Sequence, residues 1–317
     1  MDKKKTTITI VVPASNEAKS LELFFSEVCM VIRNSSDYTW ELIFVDDGSA
    51  DQTWEIIKGI SRQDHRVKGV SLSRHFGKDI ALTAGVEAVS DADAVIFMDA
   101  DLQHPPGLIP ELIRQWELGF QVVVTRRTKI QYSWARGIGS KLFYFFLNRF
   151  TSLDTVSQSS DFRLLDREVF EIFKNFTERN RFFRGLVDWM GFKKTCVAFS
   201  APNRVRGESA FGFRDLSRFA INSFTSFSLF PLRATGYIGV VVLFFSLFTL
   251  IYMLVVHHVL GITMISPSAY FVVFNTFLFG MVLAALGMIA LYIGHIHTEV
   301  IGRPVYIVQE RAGFDNE

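Results

Sequence analysis

Asp99-Ala100-Asp101 follows directly on the apolar run Ala94 to Met98, so two carboxylates leave the end of a strand-like segment one residue apart. Hard oxygen ligands at that spacing suit a single divalent cation, Mg2+ or Mn2+. Such an ion bridges phosphates and offsets the charge that grows on a departing nucleoside diphosphate. An Asp-x-Asp turn alone is weak evidence, because most acidic turns are simply solvated. Here Gln103, His104, Pro105 and Pro106 follow it, and another acidic turn, Asp46-Asp47-Gly48-Ser49, ends a different strand-like run. Only Cys29 and Cys196 could contribute thiolates, and they have no metal-ligand spacing. His257, His258, His295 and His297 read as interfacial polar residues, since no nearby carboxylate completes a metal site.

The elements that must position these groups alternate in type. Thr7 to Val12, Trp40 to Val45, Val67 to Leu72, Ala94 to Met98 and Val122 to Thr125 are β-rich apolar runs. Between the first four lie helical patterns at Ala18 to Ile32, Trp54 to Ile60 and Asp79 to Ala88. Strands separated by helices of this length predict βαβ units and a mostly parallel sheet covered on both faces. Ligands in such sheets bind beyond the carboxyl ends of the strands. The polar clusters Ser15-Asn16-Glu17, Asp46-Asp47, Arg74-His75 and Asp99-Ala100-Asp101 all fall at those ends. That coincidence is the main argument for a site.

Composition divides the chain. Of its 317 residues 49% are hydrophobic and the formal net charge is +1, which gives no sign of nucleic-acid binding or general disorder. Yet no Asp, Glu, Lys or Arg occurs between Arg233 and Glu299, and all but Arg303 and Arg311 of the 33 basic residues lie at or before Arg233. The uncharged stretch is broken by His257, His258, Gly261 and Ser266-Pro267-Ser268, so two membrane helices are expected, at about 234–256 and 269–295. Each exceeds the ~20 apolar residues that cross a ~30 Å hydrocarbon core. The positive-inside bias of Arg233, Arg303 and Arg311 puts both termini in the cytoplasm. Two amphipathic helices are also expected, at 138–150 and within 214–232, the second interfacial because it adjoins a span. The short apolar run after Lys3 to Lys5 ends at Pro13, so no cleaved targeting segment is expected.

Taken in order, the motifs resemble a known family. They are Val12-Pro13-x-x-Asn16-Glu17, Val45-Asp46-Asp47-Gly48-Ser49-x-Asp51-x-Thr53, Arg74-x-x-Gly77-Lys78 and Asp99-x-Asp101-x-Gln103-x-Pro105-Pro106. They continue through Ser160-Asp161-Phe162-Arg163-Leu164-x-Asp166-Arg167, Arg206-Gly207-Glu208-Ser209 and Gly302-Arg303-Pro304. The set is similar to family 2 inverting glycosyltransferases of the GT-A fold. It is closest to their polyprenyl-phosphate branch, which includes bactoprenol glucosyltransferases and dolichol-phosphate mannose synthases.

The resemblance implies a cytoplasmic α/β GT-A catalytic domain over residues 1–213, the two membrane helices within 233–298, and a cytoplasmic tail over 299–317. It implies transfer of a hexose, glucose first among the candidates, from a UDP-sugar to undecaprenyl phosphate at a bacterial cytoplasmic membrane, with Mg2+ or Mn2+ as cofactor. Pro13, Glu17, Asp47, Lys78, Asp99, Ala100 and Arg126 would hold the nucleotide sugar, and Asp99, Asp101 and Gln103 would surround the metal. Glu17 also stands where a carboxylate favours a helix N-terminus, and Asp46 is expected to shape its turn. Arg136, Arg163 and Arg206 are candidates for the acceptor phosphate, which needs cations to approach a second anion. Asp161, with Arg206 and Asp101, belongs to the catalytic set; it is expected to orient Arg163 or the acceptor, and as a base its contribution would be modest. Self-association is left open. A mannose, N-acetylhexosamine or aminoarabinose donor, or a non-catalytic scaffold of the same fold, are the other readings. A processive polysaccharide synthase is disfavoured because the chain contains no Arg-Trp pair.

Overall fold

The computed structural model describes residues 5–127, 159–179, 181–199, 248 and 267–314. The chain divides into two compact units, Met1–Gly212 with Arg303–Glu317, and Phe213–Gly302. The helices expected at 138–150 and 214–232 lie outside the described residues, as does the span at 234–256 apart from Phe248.

The first unit opens with β1 (Thr6–Ala14), α1 (Leu21–Arg33), β2 (Tyr38–Asp46), α2 (Thr53–Gln63), β3 (Val67–Leu72), α3 (Lys78–Glu87) and β4 (Ala94–Phe97). A 3-10 turn at Pro106–Leu108 leads into α4 (Ile109–Glu117) and β5 (Val122–Arg127). Then come β6 (Ser159–Asp166), α5 (Arg167–Lys174), α6 (Phe183–Trp189) and β7 (Lys194–Phe199). Among the described residues the sheet has eight strands, ordered β7-β5-β6-β4-β1-β2-β3 and then the C-terminal strand β8 (Val308–Ala312). β1, β2, β3 and β4 run parallel, β6 is antiparallel to both β4 and β5, and β7 is parallel to β5. The parallel strands read as unbroken apolar runs because both faces are covered, and Ile8, Ile10, Val11, Val12, Ile43, Phe44 and Val45 are fully buried.

Two glycines let helices and loops close on the sheet. A Cβ on Gly85 would meet Val11 Cγ1 at 2.3 Å, so α3 can lie against β1 and β2 only because that position is bare. Gly48, at φ +62°, lies in the turn after β2, where a Cβ would stand 2.2 Å from the carbonyl carbon of Arg74.

Within the segment expected as a tail, residues 303–314 belong to the first unit. β8 pairs antiparallel with β3 and closes that edge of the sheet. Trp54 Nε1 donates to Glu310 (2.7 Å) and Tyr306 Oη to Glu87 (2.5 Å). The segment Val-Gln-Glu-Arg-Ala has too little apolar alternation to announce a strand; it is held by backbone bonding to an available edge.

In the second unit α7 (Pro267–Ile301) is a single helix of 35 residues whose described side chains include exposed Phe271, Val272, Phe279, Val282, Leu286 and Ile293. Over the described residues, no helix is long and apolar enough to cross a membrane. Within α7 the side chains of Val273 and Leu283, among others, lie outside the described residues.

Candidate active site

A cleft of about 200 Å³ opens at the carboxyl ends of the parallel strands and is lined by Pro13, Ala14, Ser15, Glu17, Asp47, His75, Lys78, Ala81, Asp99, Ala100 and Asp101. The structure therefore brings together Pro13, Glu17, Asp47, Lys78, Asp99, Ala100 and Asp101 from separate stretches of chain.

The first wall is built by the loops after β1 and β2. Asn16 adopts a left-handed φ of 57°, tolerable for asparagine, and its Oδ1 accepts from the Ala50 N–H at 2.9 Å. In return Ser49 Oγ accepts from Asn16 N–H (2.9 Å) and Thr53 Oγ1 from Glu17 N–H (2.9 Å). Glu17 lines the cleft and also accepts from Ser20 Oγ at 2.6 Å just before α1. Asp46 is buried and accepts from Ser49 N–H and Ser71 Oγ, which shapes the turn.

Asp47 is more committed than its sequence position implies. Its two oxygens accept from Phe76 N–H (2.7 Å) and Gly77 N–H (2.9 Å), His75 Nδ1 stands 2.9 Å away, and its side chain is 3% exposed. It pins the 74–77 loop, with Gly48 packed beneath it, as well as edging the cleft.

The opposite wall carries the charge. Lys78, the first residue of α3, places Nζ 2.5 Å from Asp99 Oδ1 and 2.7 Å from Asp161 Oδ2. Burial alone would lower the lysine's pKa, but the Asp161 and Asp99 carboxylates outweigh it and hold the ammonium above its ordinary value. Burial likewise works to raise Asp99, and Lys78 reverses it, leaving that carboxyl below the usual range. Asp101 Oδ1 accepts from Gln103 N–H at 3.0 Å across Leu102, whose φ is 60°. A leucine in that region costs about 1–2 kcal/mol, and its burial in the main core offsets the strain.

β6 supplies the third element. Its period-2 alternation sends Phe162 and Leu164 into the core cluster and Asp161 and Arg163 to the other face. Asp161 is gripped by Arg184 of α6, Nε to Oδ1 and Nη2 to Oδ2, the latter at 2.8 Å. Burial opposes ionisation, yet Arg184 and Lys78 hold Asp161 well below the ordinary carboxylate value. Asp79 next to Lys78 goes the other way, pushed up to about 6 by burial and by the Asp161 charge.

Other expected residues stand elsewhere. Arg163 is 0% exposed, with Cζ 5.6 Å from the Phe183 ring centroid and Nη2 donating to Ser160 O at 3.1 Å. Rather than presenting a guanidinium to an acceptor phosphate, it is sealed under α6, because the β6 face it shares with Asp161 is covered there. Asp161 is oriented by Arg184 and Lys78, not through a hydrogen bond to Arg163. Arg126 is exposed beside Ser159 in the β5–β6 register and, like Gln103, is not among the cleft-lining residues. Arg136 and Arg206 lie outside the described residues. Sequence reasoning did not single out Arg184 or Asp79, and it gave His104 no role. Arg184 is 23 residues from Asp161 in an ordinary helix, so no local signal announces the pair.

The mostly parallel α/β sheet with carboxylates gathered at its carboxyl edge is the frame of a GT-A fold. The family model for glycosyl transferase family 2 matches residues 9–173, and the chain belongs to that family. It is 36% identical to an uncharacterized glycosyltransferase of Synechocystis, covering 97% of this chain and 96% of that one. It is 35% identical to a prophage-derived bactoprenol glucosyl transferase of Shigella flexneri, covering 96% and 97%. A mannosyl-3-phosphoglycerate synthase from Rubrobacter xylanophilus is similar at a TM-score of 0.49 and 19% identity, over 69% of this chain and 71% of that one.

Proposed function

We propose that this glycosyltransferase moves glucose from UDP-glucose to a polyprenyl phosphate, with inversion, at the cytoplasmic face of a bacterial membrane. The observation that carries the reading is the cleft in which Asp99, Asp101 and Lys78 meet residues of the β1 and β2 loops. Relatives named bactoprenol glucosyl transferases, 34–35% identical over nearly the whole chain, support the lipid acceptor and the sugar.

The donor set fits a divalent metal. Asp99 and Asp101 line the same cleft, and a cation, the Lys78 ammonium, already sits against Asp99. Among the described residues no group of three or more His, Cys, Asp or Glu could hold an ion. The two cleft carboxylates suit Mg2+ or Mn2+, which are held by one or two carboxylates and complete their shells with water and substrate phosphates. When bound, the ion would supply neutralisation of the leaving diphosphate. Gln103 follows the carboxylate turn as a further oxygen donor within the motif.

The protein's own residues bring two anions together. Lys78 adds positive charge at the cleft. A phosphate monoester has a second pKa of about 6, so the acceptor is largely dianionic at neutral pH and needs little help from a base. Asp161, held ionised between Lys78 and Arg184, is a poor proton acceptor and serves to fix those cations. Arg126, Arg136 and Arg206 are the cations assigned to the diphosphate and the acceptor.

Membrane anchoring through spans at about 234–256 and 269–295 is part of this reading. It is supported by the uncharged run from Ala234 to Thr298 and by the 35-residue α7. At about 1.5 Å per residue such a helix exceeds a ~30 Å hydrocarbon core. Incubating the full chain with undecaprenyl phosphate and a panel of UDP-glucose, UDP-N-acetylglucosamine and GDP-mannose, with Mg2+, Mn2+ or chelator, tests it. Mass analysis should find glucosylated lipid only with metal present. No lipid product from any donor, or equal product in chelator, overturns the reading.

A further inference from the structure

His104 is 0% exposed and bonded at both ring nitrogens, and it stands behind the cleft without being one of its lining residues. Its Nδ1 lies 3.0 Å from the backbone nitrogen of Asp99, and its Nε2 lies 2.6 Å from Ser160 Oγ. A backbone N–H can only donate, so Nδ1 carries the lone pair and the ring proton sits on Nε2, where it donates to the serine. The Asp99 carboxylate is 3.7 Å from Nδ1, beyond hydrogen-bond reach, so the main chain is the partner. The ring is stacked on Phe162, with centroids 5.2 Å apart and planes 24° from parallel, and meets Phe199 edge-on. Ser160 Oγ in turn accepts from Phe162 N–H at 3.3 Å.

This bridge joins two segments that are distant in sequence but carry the two carboxylates on Lys78. One end is the backbone of Asp99, and the other is the residue preceding Asp161. Strands β4 and β6 are antiparallel neighbours whose ladder pairs Phe97 with Arg163, and the chain beyond those residues has no further ladder pair between the two strands. His104 supplies the missing cross-link at the point where the ladder stops.

We propose that His104, in its Nε2–H form and acting through Ser160, is a positioning residue for the transfer reaction. It sets the separation at which Asp99 and Asp161 hold Lys78 and at which the carboxylate turn faces the donor. The proposal rests on the reaction assigned to this cleft. Residues that orient ligands from behind typically change activity or metal affinity by about 10–100-fold when replaced.

The test is a double-mutant cycle in the full chain, measuring kcat and KM for UDP-glucose across a Mn2+ titration. His104→Asn keeps an acceptor for the Asp99 N–H but cannot reach the serine, and Ser160→Ala removes the other half of the link at little cost in volume. Each single variant should lower kcat by about 10-fold or more with KM for the donor little changed, and the double variant should lose no more than the worse single. His104→Gln, whose amide nitrogen can take the place of Nε2, should recover part of the rate lost in His104→Asn. Penalties that multiply in the double variant, or wild-type kcat in Ser160→Ala, overturn the positioning role. If His104→Asn does not fold, Ser160→Ala and its recovery by Ser160→Thr decide the matter. Inactivity of the wild-type chain toward every donor would instead count against the reaction itself.

Discussion

Replacing Asp161 with Asn separates two accounts of this carboxylate. The side chain is 9% exposed, 2.7 Å from Lys78 Nζ and clasped by Arg184, so the amide would take one of two carboxylates from Lys78, leaving it Asp99, and remove the charge that Arg184 clasps. Removing one partner of a fully buried pair costs about 3–5 kcal/mol. Here Lys78 and Arg184 keep 37% and 31% of their side-chain surface exposed, and solvent screening brings the expected loss to about 2 kcal/mol at neutral pH. The folded pKa of Asp161 is depressed, so its stabilisation is fully present above the ordinary value of 3.8 and disappears as pH falls through the lower folded value. Denaturant melts of the wild type and Asp161→Asn should therefore converge in acid and separate above about pH 5. Transfer rates should fall by the same factor at every pH between about 7 and 9, because the acceptor is already ionised there. A variant whose rate recovers as pH rises would make Asp161 a base and refute the clamp, and a stability gap that persists unchanged into acid would refute the depressed carboxyl.

Three further substitutions test the surrounding frame. Gly48→Ala combines a left-handed backbone with a Cβ 2.2 Å from the Arg74 main chain, and should cost about 3 kcal/mol in denaturant unfolding while weakening UDP-glucose binding through the 74–77 loop. Asp79 has a folded pKa of about 6, so its ionised form destabilises the fold at neutral pH and its contribution improves as pH falls towards the ordinary carboxylate range. Asp79→Asn, which can still accept from Phe183 N–H, should raise stability by about 2 kcal/mol at pH 7, with the gain vanishing near pH 4, as thermal melts across pH would record. Ending the chain after Gly302 removes β8 with its Trp54–Glu310 and Tyr306–Glu87 bonds and uncovers the β3 edge. The truncated protein should lose at least about 2 kcal/mol and aggregate in light scattering, whereas unchanged melting would show the strand to be dispensable.

Much of the frame was readable from patterning. The apolar runs at Thr7 to Val12, Trp40 to Val45, Val67 to Leu72 and Ala94 to Met98 lie within or overlap β1 to β4, and polar clusters mark their carboxyl ends because parallel strands bury everything except where the chain leaves the sheet. β6 and β8 were not legible as strands. β6 carries Asp161 and Arg163 on one face, and β8 is mostly polar; each is held by pairing with neighbours far away in the chain.

At the cleft, the strand-end polar clusters pointed to Glu17, Asp47, Asp99 and Asp101, since strand ends and turns are local features, and the family resemblance added Pro13 and Lys78. The partners of those groups were not selected. Arg184 on Asp161, the main-chain donors on Asp47, His104 behind Asp99, and the burial of Arg163 all depend on which segments the sheet order sets side by side. A carboxylate's identity is written in one residue, whereas its charge state and its orientation belong to neighbours that only the folded chain assembles.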